Sequence, residues 1–236
     1  MAQKFLTYSE VDTAIQNKMS NRVPAESRRL EAINDLLQGI FAQYDISTSL
    51  RRVSISVIPN GTAYDVSGLV TDDDVKKIRT IKYDDGDDNY QEFIQVPRED
   101  LEEHIDNKVY INEYCIYFQD GVQYLKLNSV ENLTTAQTVD MDYFTYFVAY
   151  ETVGATFEEL LLSNSTYVIL LPKRFKNVIV WGAVKELLYP AIGEDAERRY
   201  AIVSNKFKSE LAKIGLDYTG TKAKSKHKQI KLRPQY

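Results

Sequence analysis

Residues 171–215 read LPKRFKNVIVWGAVKELLYPAIGEDAERRYAIVSNKFKSELAKIG, and this stretch decides the fold class. Its first half is apolar over most of a helical circumference, which predicts a centrally buried helix that begins at Pro172 and stops at Pro190. Its second half carries apolar residues at helical spacing, which predicts an amphipathic helix over Ala196–Ile214 with Gly215 as its left-handed cap. The C-terminal part of the chain is therefore predicted to be helical.

Two further helices are predicted near the N-terminus. Thr7-x-x-Glu10 forms a capping box, and the apolar face of the helix that follows is marked by Val11, Ile15 and Met19. A second helix begins around Pro24, and its apolar face is formed by Leu30, Ile33, Leu37, Ile40 and Tyr44. Since helices from both ends of a chain can share one core, we expect these two to pack with the C-terminal pair.

The middle of the chain has the alternating pattern of β-strands, which starts at about Arg52. Asp120-Gly121 predicts a tight hairpin turn, because both residues tolerate positive φ angles. A short helix is predicted after Pro97, where acidic residues crowd the first turn. The further strand candidates are Tyr64–Val70, Ile78–Tyr83, Tyr90–Val96, Val109–Phe118, Val122–Leu127 and Tyr143–Tyr150. Several short strands of this kind predict a sandwich or a small barrel.

The predicted fold class is α+β. We expect a helical bundle built from the N- and C-terminal helices, a β-rich insertion and an extended C-terminal arm. Residues 1–50 and 152–218 are assigned to the helical body, 51–151 to the β-rich inserted domain and 219–236 to the arm. A second capping box, Thr156-x-x-Glu159, predicts a short helix through Leu162 in the helical body.

Composition excludes several classes of function. The 236 residues carry a net charge of −5, which argues against a general nucleic-acid binder with a wholly basic surface. Cys115 is the one cysteine, so an internal disulfide and a cysteine metal cluster are excluded, as fits synthesis in a reducing cytoplasm. No signal peptide or membrane-spanning run is present in the sequence, so we expect no membrane partner.

The sequence carries no motif of a catalytic, cofactor-binding or metal site, and we expect a protein that is not an enzyme. Neither His104 nor His227 has a nucleophile beside it in sequence. The acidic clusters at 72–74 and 84–88 are interpreted as solvated hairpin tips, with a hard cation such as calcium as the alternative. No catalytic, cofactor-binding or metal-binding residue is therefore assigned.

The arm, Thr219–Tyr236, is the most unusual segment in charge. It has six basic residues and no acid, a charge of +6 that leaves −11 for the rest of a chain whose net charge is −5. Such a tail is either solvated and disordered or docks on a partner, and its apolar residues are the anchors that docking needs. The predicted partner-binding residues are Lys222, Lys224, Lys226, Lys228, Ile230, Lys231, Leu232, Arg233, Pro234 and Tyr236.

The stretch Phe147–Leu216 resembles the C-terminal part of the head-to-tail adaptor, or head-completion, proteins of tailed bacteriophages. The likeness lies in the strand Phe147–Tyr150, the Leu171-Pro172 step and the two helices that follow. The resemblance implies a structural virion protein at the head-tail junction, made in the host cytoplasm. It would form a homo-oligomeric ring, commonly a dodecamer, that docks on the portal and connects the capsid to tail or neck proteins. Double-stranded DNA would pass through its lumen during ejection without sequence-specific binding, and the arm would reach a neighbouring component.

Three alternatives stay open at this point. A tail terminator or another neck protein would share the composition and the lack of motifs. A β-rich carbohydrate-binding or adhesion module would explain the 17 tyrosines, whose rings offer an apolar face and a polar tip. A hydrolase with dispersed carboxylates is the third, because residues far apart in sequence can meet at one site.

Overall fold

The structure is a computed structural model that describes residues 5–19, 23–60, 62–70, 75–84, 90–130, 136–164, 166–189 and 192–219. The chain divides into two compact units. Met1–Thr48 and Phe147–Tyr236 form one, which we name the terminal unit, and Ser49–Tyr146 form the other, the inserted unit. Both helices and sheets are present, so the predicted α+β class is confirmed.

The elements of the described residues follow in chain order. The helices are α1 (Tyr8–Met19), α2 (Glu26–Gln43), α3 (Val66–Leu69), α4 (Arg98–Asp106), α5 (Lys176–Leu187) and α6 (Glu194–Thr219), with 3-10 turns at Ser47–Ser49 and Lys173–Phe175. The strands are β1 (Phe5–Thr7), β2 (Leu50–Val57), β3 (Ala63–Asp65), β4 (Val75–Asp84), β5 (Tyr90–Glu92), β6 (Ile94–Gln95), β7 (Glu113–Gln119), β8 (Val122–Asn128), β9 (Gln137–Thr145), β10 (Ala149–Glu151), β11 (Thr156–Glu158) and β12 (Tyr167–Pro172).

In the terminal unit, helix α5 lies at the centre of the core. It contacts α1, α2 and α6, and its buried residues lie all around the helix: Val178, Ile179, Val180, Ala183 and Val184. A helix without a polar face is stable only when neighbours cover it on every side. The prediction of a centrally buried helix in this stretch is confirmed.

A four-stranded antiparallel sheet in the terminal unit was not expected from the sequence. Its order is β1-β12-β10-β11. Strand β12 occupies Tyr167–Pro172, so the first helical turn begins at Lys173 rather than Pro172. The short helix predicted from Thr156-x-x-Glu159 is wrong, because Thr156–Glu158 form β11 and pair with β10 instead.

Gly215 does not end the last helix as predicted. α6 continues to Thr219, and contacts in its final turn explain this: Asp217 pairs with Arg174 at 3.0 Å between Nη2 and Oδ2, and the Tyr218 ring lies 6.0 Å from that of Phe175. These tertiary contacts stabilise a turn that the sequence pattern placed beyond the helix.

The inserted unit is built from two four-stranded sheets, with orders β2-β9-β4-β5 and β3-β8-β7-β6. Both sheets contribute to one apolar core, which includes Ile55, Ile81, Leu125, Leu127, Val139 and Met141. Of the two predicted arrangements this is the sandwich, since two sheets face each other across a shared core. β2 pairs with β9 from Leu50 opposite Phe144 to Val57 opposite Gln137, so the first and last strands of this unit are neighbours.

Several local predictions for the inserted unit are confirmed. The hairpin turn at Asp120-Gly121 joins β7 to β8, with φ angles of 52° and 81°. The helix after Pro97 is α4. The predicted strand Tyr64–Val70 is only partly right, because the Asp65 carboxylate accepts a hydrogen bond from the Ser67 amide at 2.9 Å and starts α3 there. The predicted strand Tyr143–Tyr150 is likewise divided between β9 and β10.

Candidate functional site

The sequence-predicted binding residues lie outside the part of the chain that the structure describes. They are Lys222, Lys224, Lys226, Lys228, Ile230, Lys231, Leu232, Arg233, Pro234 and Tyr236. The last described residue is Thr219, at the C-terminal end of α6. The candidate site is therefore the surface of the terminal unit from which the arm departs.

The end of α6 is held at a defined position. Arg174 forms an ion pair with Asp217, and its guanidinium also lies 4.9 Å from the centre of the Phe175 ring. Phe175 is buried, and Tyr218 packs against it. The Arg174–Asp217 ion pair is exposed, so its electrostatic contribution to stability is small. The contact between the Phe175 and Tyr218 rings therefore does most to hold the last turn in place. The last turn of α6 is thus held against Arg174 and Phe175.

An open groove runs between α2, α5 and α6, and its α6 residues lie within about twelve positions of Thr219. It has a volume of about 350 Å³ and is lined mainly by Ala32, Leu36, Gly39, Ile40, Gly182, Phe207 and Leu211. Two glycines shape it in opposite ways. At Gly182 an added Cβ would overlap Leu36 Cδ2, so the helices approach closely there, whereas at Gly39 nothing lies within 4 Å of an added Cβ. The groove is therefore open above α2 and closed at its floor.

The rim of the groove is charged. Asp35 and Glu186 contribute carboxylates, and the Lys185 ammonium lies 3.9 Å from Glu186 Oε2 and 5.7 Å from the centre of the Phe207 ring. An ammonium above an aromatic face is attracted by the ring quadrupole. Lys185 is thus engaged by groups of the groove itself, which leaves Asp35 as the rim charge best placed to meet a basic ligand.

A second basic and aromatic surface surrounds Trp181. The Lys206 ammonium lies 4.4 Å and the Lys18 ammonium 5.1 Å from the centre of its ring. Arg199 donates a hydrogen bond to the Lys18 carbonyl at 2.9 Å and so caps the C-terminal end of α1. Cations at a helix C-terminus are favourable because of its partial negative charge. These contacts join α1, α5 and α6, so Lys18, Lys206 and Arg199 have a structural role in holding the three helices together.

Comparison with known proteins identifies the family. The family model described as SU10 adaptor protein matches residues 6–226, which include both units and the first residues of the arm. The chain belongs to the SU10 adaptor protein family. No curated protein matches the chain.

SU10 adaptors are a head-tail adaptor family of phages, so the resemblance to phage adaptors is confirmed at this general level. The protein is accordingly a structural adaptor protein of a phage and a virion component. The sequence resemblance rested on Phe147–Leu216 alone, whereas the family match also includes the inserted unit. The family match therefore spans both units.

The aromatic residues of this SU10 adaptor mostly serve its cores. Tyr114 and Tyr143 are buried between the sheets of the inserted unit, and Phe147 is buried in the core of the terminal unit. Tyr117 and Tyr124 stack on one another at 5.5 Å, and the Arg98 guanidinium covers Tyr117 at 4.1 Å from the ring centre. The rings named here are therefore engaged by other groups of the protein.

Two titratable groups of the inserted unit have pKa values that are shifted for structural reasons. His104 Nδ1 lies 2.8 Å from Glu113 Oε2, and this hydrogen bond raises the pKa of His104 above its usual value. Burial raises the pKa of the Cys115 thiol, as expected for an inert core cysteine. Among the residues that the structure describes, no group of three or more His, Cys, Asp or Glu side chains could hold a metal ion.

The acidic clusters fall almost entirely outside the described ranges. Asp72, Asp73 and Asp74 are not described, and in the second cluster only Asp84, the last residue of β4, is. Whether these clusters bind a cation stays a prediction. Within the described helices, none combines the length and the apolar character that crossing a membrane requires.

Sequence reasoning did not predict the groove. Its lining comes from three helices, and the α2 residues lie about 140 positions or more before those of α5 and α6, so no local pattern reveals it. The available signal was a glycine inside each of two otherwise helical patterns, Gly39 and Gly182. An interior helical glycine has a cost in stability, and a packing or binding reason usually accounts for it.

Proposed function

We propose that the protein is a ring-forming head-to-tail adaptor that docks on the portal and connects the capsid to the tail, with DNA passing through its lumen. The observation that carries the proposal is membership of a phage adaptor family over residues 6–226. A ring around the DNA path is the arrangement that lets one kind of subunit join two coaxial assemblies. The subunit number we propose is twelve, as in the adaptors that the sequence resembles.

Apolar residues on the surface of the terminal unit support assembly into a ring. Ile202 and Leu216, both on α6, are 51% and 76% exposed, and Tyr189 and Ile192 are also exposed just before that helix. Burying such apolar surface between subunits is favourable by roughly 25 cal/mol per Å² removed from water. The exposed face of α6 and the residues just before it would then form the lateral contacts of the ring.

The arm is proposed to bind the portal through the residues named above. Its six basic residues supply long-range attraction to an acidic partner, and Ile230, Leu232, Pro234 and Tyr236 supply apolar anchors. A segment that orders on binding gives up part of its interaction energy but can reach across a large surface. The fixed end of α6 supports this role, because it sets where each arm starts in every subunit of the ring.

The charge of the protein is consistent with DNA passage. Without the arm the chain carries −11, and like charge keeps a DNA duplex from adhering to the wall of a channel. We therefore propose that DNA moves through the ring without sequence-specific binding.

Electron microscopy of the purified protein with its cognate portal rings tests the proposal. We expect rings that cap the portal, and we expect a variant lacking residues 220–236 to keep its circular dichroism spectrum and its rings but not to cap the portal. A matched control replaces only Ser225 and Gln229 by Ala, which leaves all basic residues and apolar anchors of the arm in place and should retain capping. Full capping by the truncated variant would show that the arm is not needed for portal binding, and a persistent monomer with and without portal would refute the proposed ring and its docking on the portal.

A further inference from the structure

The groove between α2, α5 and α6 has an apolar floor that the described residues leave uncovered. Leu36, Phe207 and Leu211 pack against the core of the terminal unit but are only partly buried. Open space above Gly39 leaves room for side chains from outside. An apolar cleft with a charged rim is the usual form of a site for an extended peptide or an amphipathic segment.

The last seven residues of the chain have the pattern that such a floor would bind. Apolar residues occupy every second position, at Ile230, Leu232, Pro234 and Tyr236, and the residues between them are polar or basic. In an extended segment alternate side chains point to the same side, so one face would be apolar and the other basic. From 230 to 236 such a segment spans about 20 Å, and α2 from Ala32 to Gln43 runs for about 17 Å along the groove.

The connection is long enough for the arm to return to its own subunit. Leu211 and Phe207 lie eight and twelve residues before Thr219, which corresponds to about 12 and 18 Å along α6. The ten residues 220–229 can span up to about 33 Å when extended. They are therefore sufficient to reverse direction and bring the anchors to the floor.

The charges of the two surfaces are complementary. Asp35 and Glu186 lie on the rim, and Lys231 and Arg233 would face that rim or the solvent from the outer side of the segment. Lys185 is the rim residue that would repel a basic segment, but its ammonium group already interacts with the Phe207 ring and with Glu186. A basic segment thus meets a rim on which carboxylates outnumber the ammonium group.

We propose that residues 230–236 of the arm bind in the α2-α5-α6 groove of their own subunit. A tether of this length gives an effective concentration on the order of millimolar, so a contact with a Kd of about 100 μM would be roughly 90% occupied. The groove then holds the arm in the free subunit and covers the apolar anchors until a partner takes them. This inference concerns the free protein, and it stands or falls independently of the proposed binding to the portal.

Cross-linking in the full-length protein tests this contact without any partner. In a Cys115→Ser background, one cysteine replaces Gln235 in the arm and a second replaces Gln43 on the exposed rim of the groove. The matched control places the second cysteine at Ser209, which is exposed on α6 and does not line the groove. A short bismaleimide reagent should join positions 43 and 235 within one chain and leave positions 209 and 235 largely unjoined.

Two further variants separate binding from an accidental encounter. Ile230→Ser combined with Leu232→Ser removes two of the four apolar anchors, and the yield at positions 43 and 235 should fall roughly tenfold. Gly39→Leu fills the open part of the groove and should lower the cross-linking yield in the same way. If Gly39→Leu disturbs folding, the variant with serine at positions 230 and 232 still tests the contact. Three results would each overturn the proposal: equal cross-linking yields at positions 43 and 209, a yield that does not change when Ile230 and Leu232 are replaced, or cross-links only between different chains.

Discussion

Asp12 and Arg29 form an ion pair with two hydrogen bonds inside the terminal unit: Arg29 Nε donates to Asp12 Oδ1 at 2.5 Å, and Nη2 donates to Oδ2 at 2.9 Å. The pair joins α1 to α2, and the side chains are only 10% and 8% exposed. Gln16 also donates to Asp12, and Arg29 donates to the Pro24 carbonyl. The guanidinium thus connects α1 both to α2 and to the residues that lead into it.

Breaking this pair from one side should destabilise the protein strongly. Asp12→Asn leaves the Arg29 guanidinium buried without its counter-charge, and we expect a loss of about 3 kcal/mol in the free energy of unfolding. The double variant Asp12→Leu with Arg29→Met should recover most of that loss, since the buried charge is then gone as well. Lys213→Met, which removes the exposed partner of Glu210, is the control and should change stability by under about 0.5 kcal/mol. Urea unfolding at pH 7 measures all three.

The contribution of Asp12 should disappear on acidification. Burial raises the pKa of its carboxyl, but hydrogen bonds from Arg29 and Gln16 outweigh that effect and bring the pKa below its ordinary value. A group whose pKa is lowered by folding stabilises above its unfolded pKa, here about 3.9, and loses that effect as the pH falls through its folded pKa. The stability difference between wild type and Asp12→Asn should therefore be constant near neutral pH and shrink below about pH 4. A difference that grows in acid would contradict this sign.

His104 and Glu113 should give the inserted unit a pH dependence of the opposite sign. The hydrogen bond to Glu113 raises the pKa of His104, so the stabilisation is complete below about pH 6.5, the unfolded value, and is lost as the pH rises through the folded pKa. Proton NMR titration of the His104 ring measures the shift directly. Glu113→Gln keeps the side-chain shape but removes the charge, and the pKa of His104 should then move down. An unchanged titration in that variant would show that the carboxylate is not the cause.

Alanine at the two groove glycines should have opposite effects. Gly39→Ala adds a methyl group where nothing lies within 4 Å, and it should stabilise α2 by roughly 1 kcal/mol through helix propensity. Gly182→Ala gains the same propensity, but its Cβ would overlap Leu36 Cδ2 and lie 2.9 Å from Phe207 Cε2. Overpacking of this kind costs about 1–3 kcal/mol, so we expect a net loss of stability. Thermal unfolding of the two variants side by side provides the measurement, and equal shifts would mean that Leu36 simply moves aside.

The hairpin between β7 and β8 should depend on Gly121. Its φ of 81° lies in the left-handed region, where a side chain costs about 1–2 kcal/mol, so Gly121→Ala should destabilise by about that amount. Asp120→Asn is the matched control at the neighbouring position, whose φ is 52°, because asparagine also tolerates this region. Chemical denaturation should therefore leave the control within about 0.5 kcal/mol of wild type.

Features determined by local chemistry were predictable from the sequence. The capping box is one: the Thr7 amide donates to Glu10 Oε2 at 3.1 Å, and the Glu10 amide donates to Thr7 Oγ1 at 3.3 Å, as predicted. Here the interacting groups are three residues apart, so the sequence contains both partners of each bond. The Asp120-Gly121 turn was predictable for the same reason.

Features determined by distant pairing were not predictable. β12 is a continuous apolar run, and such a run looks alike in a buried strand and at the start of a buried helix. Its pairing with β1, more than 150 residues earlier, decides the outcome. Thr156-x-x-Glu159 satisfied the pattern of a cap, yet pairing with β10 made it a strand. The groove depends on the same kind of long-range contact, whereas the binding residues predicted in the arm lie outside the described residues and stay a prediction.

The pairing of Leu50 with Phe144 has a consequence for the length of the inserted unit. Residues opposite one another on adjacent antiparallel strands lie about 5 Å apart, so the inserted unit starts and finishes at nearly the same point. The distance between the two ends of the insertion is short, and either a sandwich or a short turn can span it. This geometry therefore does not fix the length of the insertion. Replacing this unit by another that closes the same gap would change the surface of the protein while the helices of the terminal unit keep their own packing.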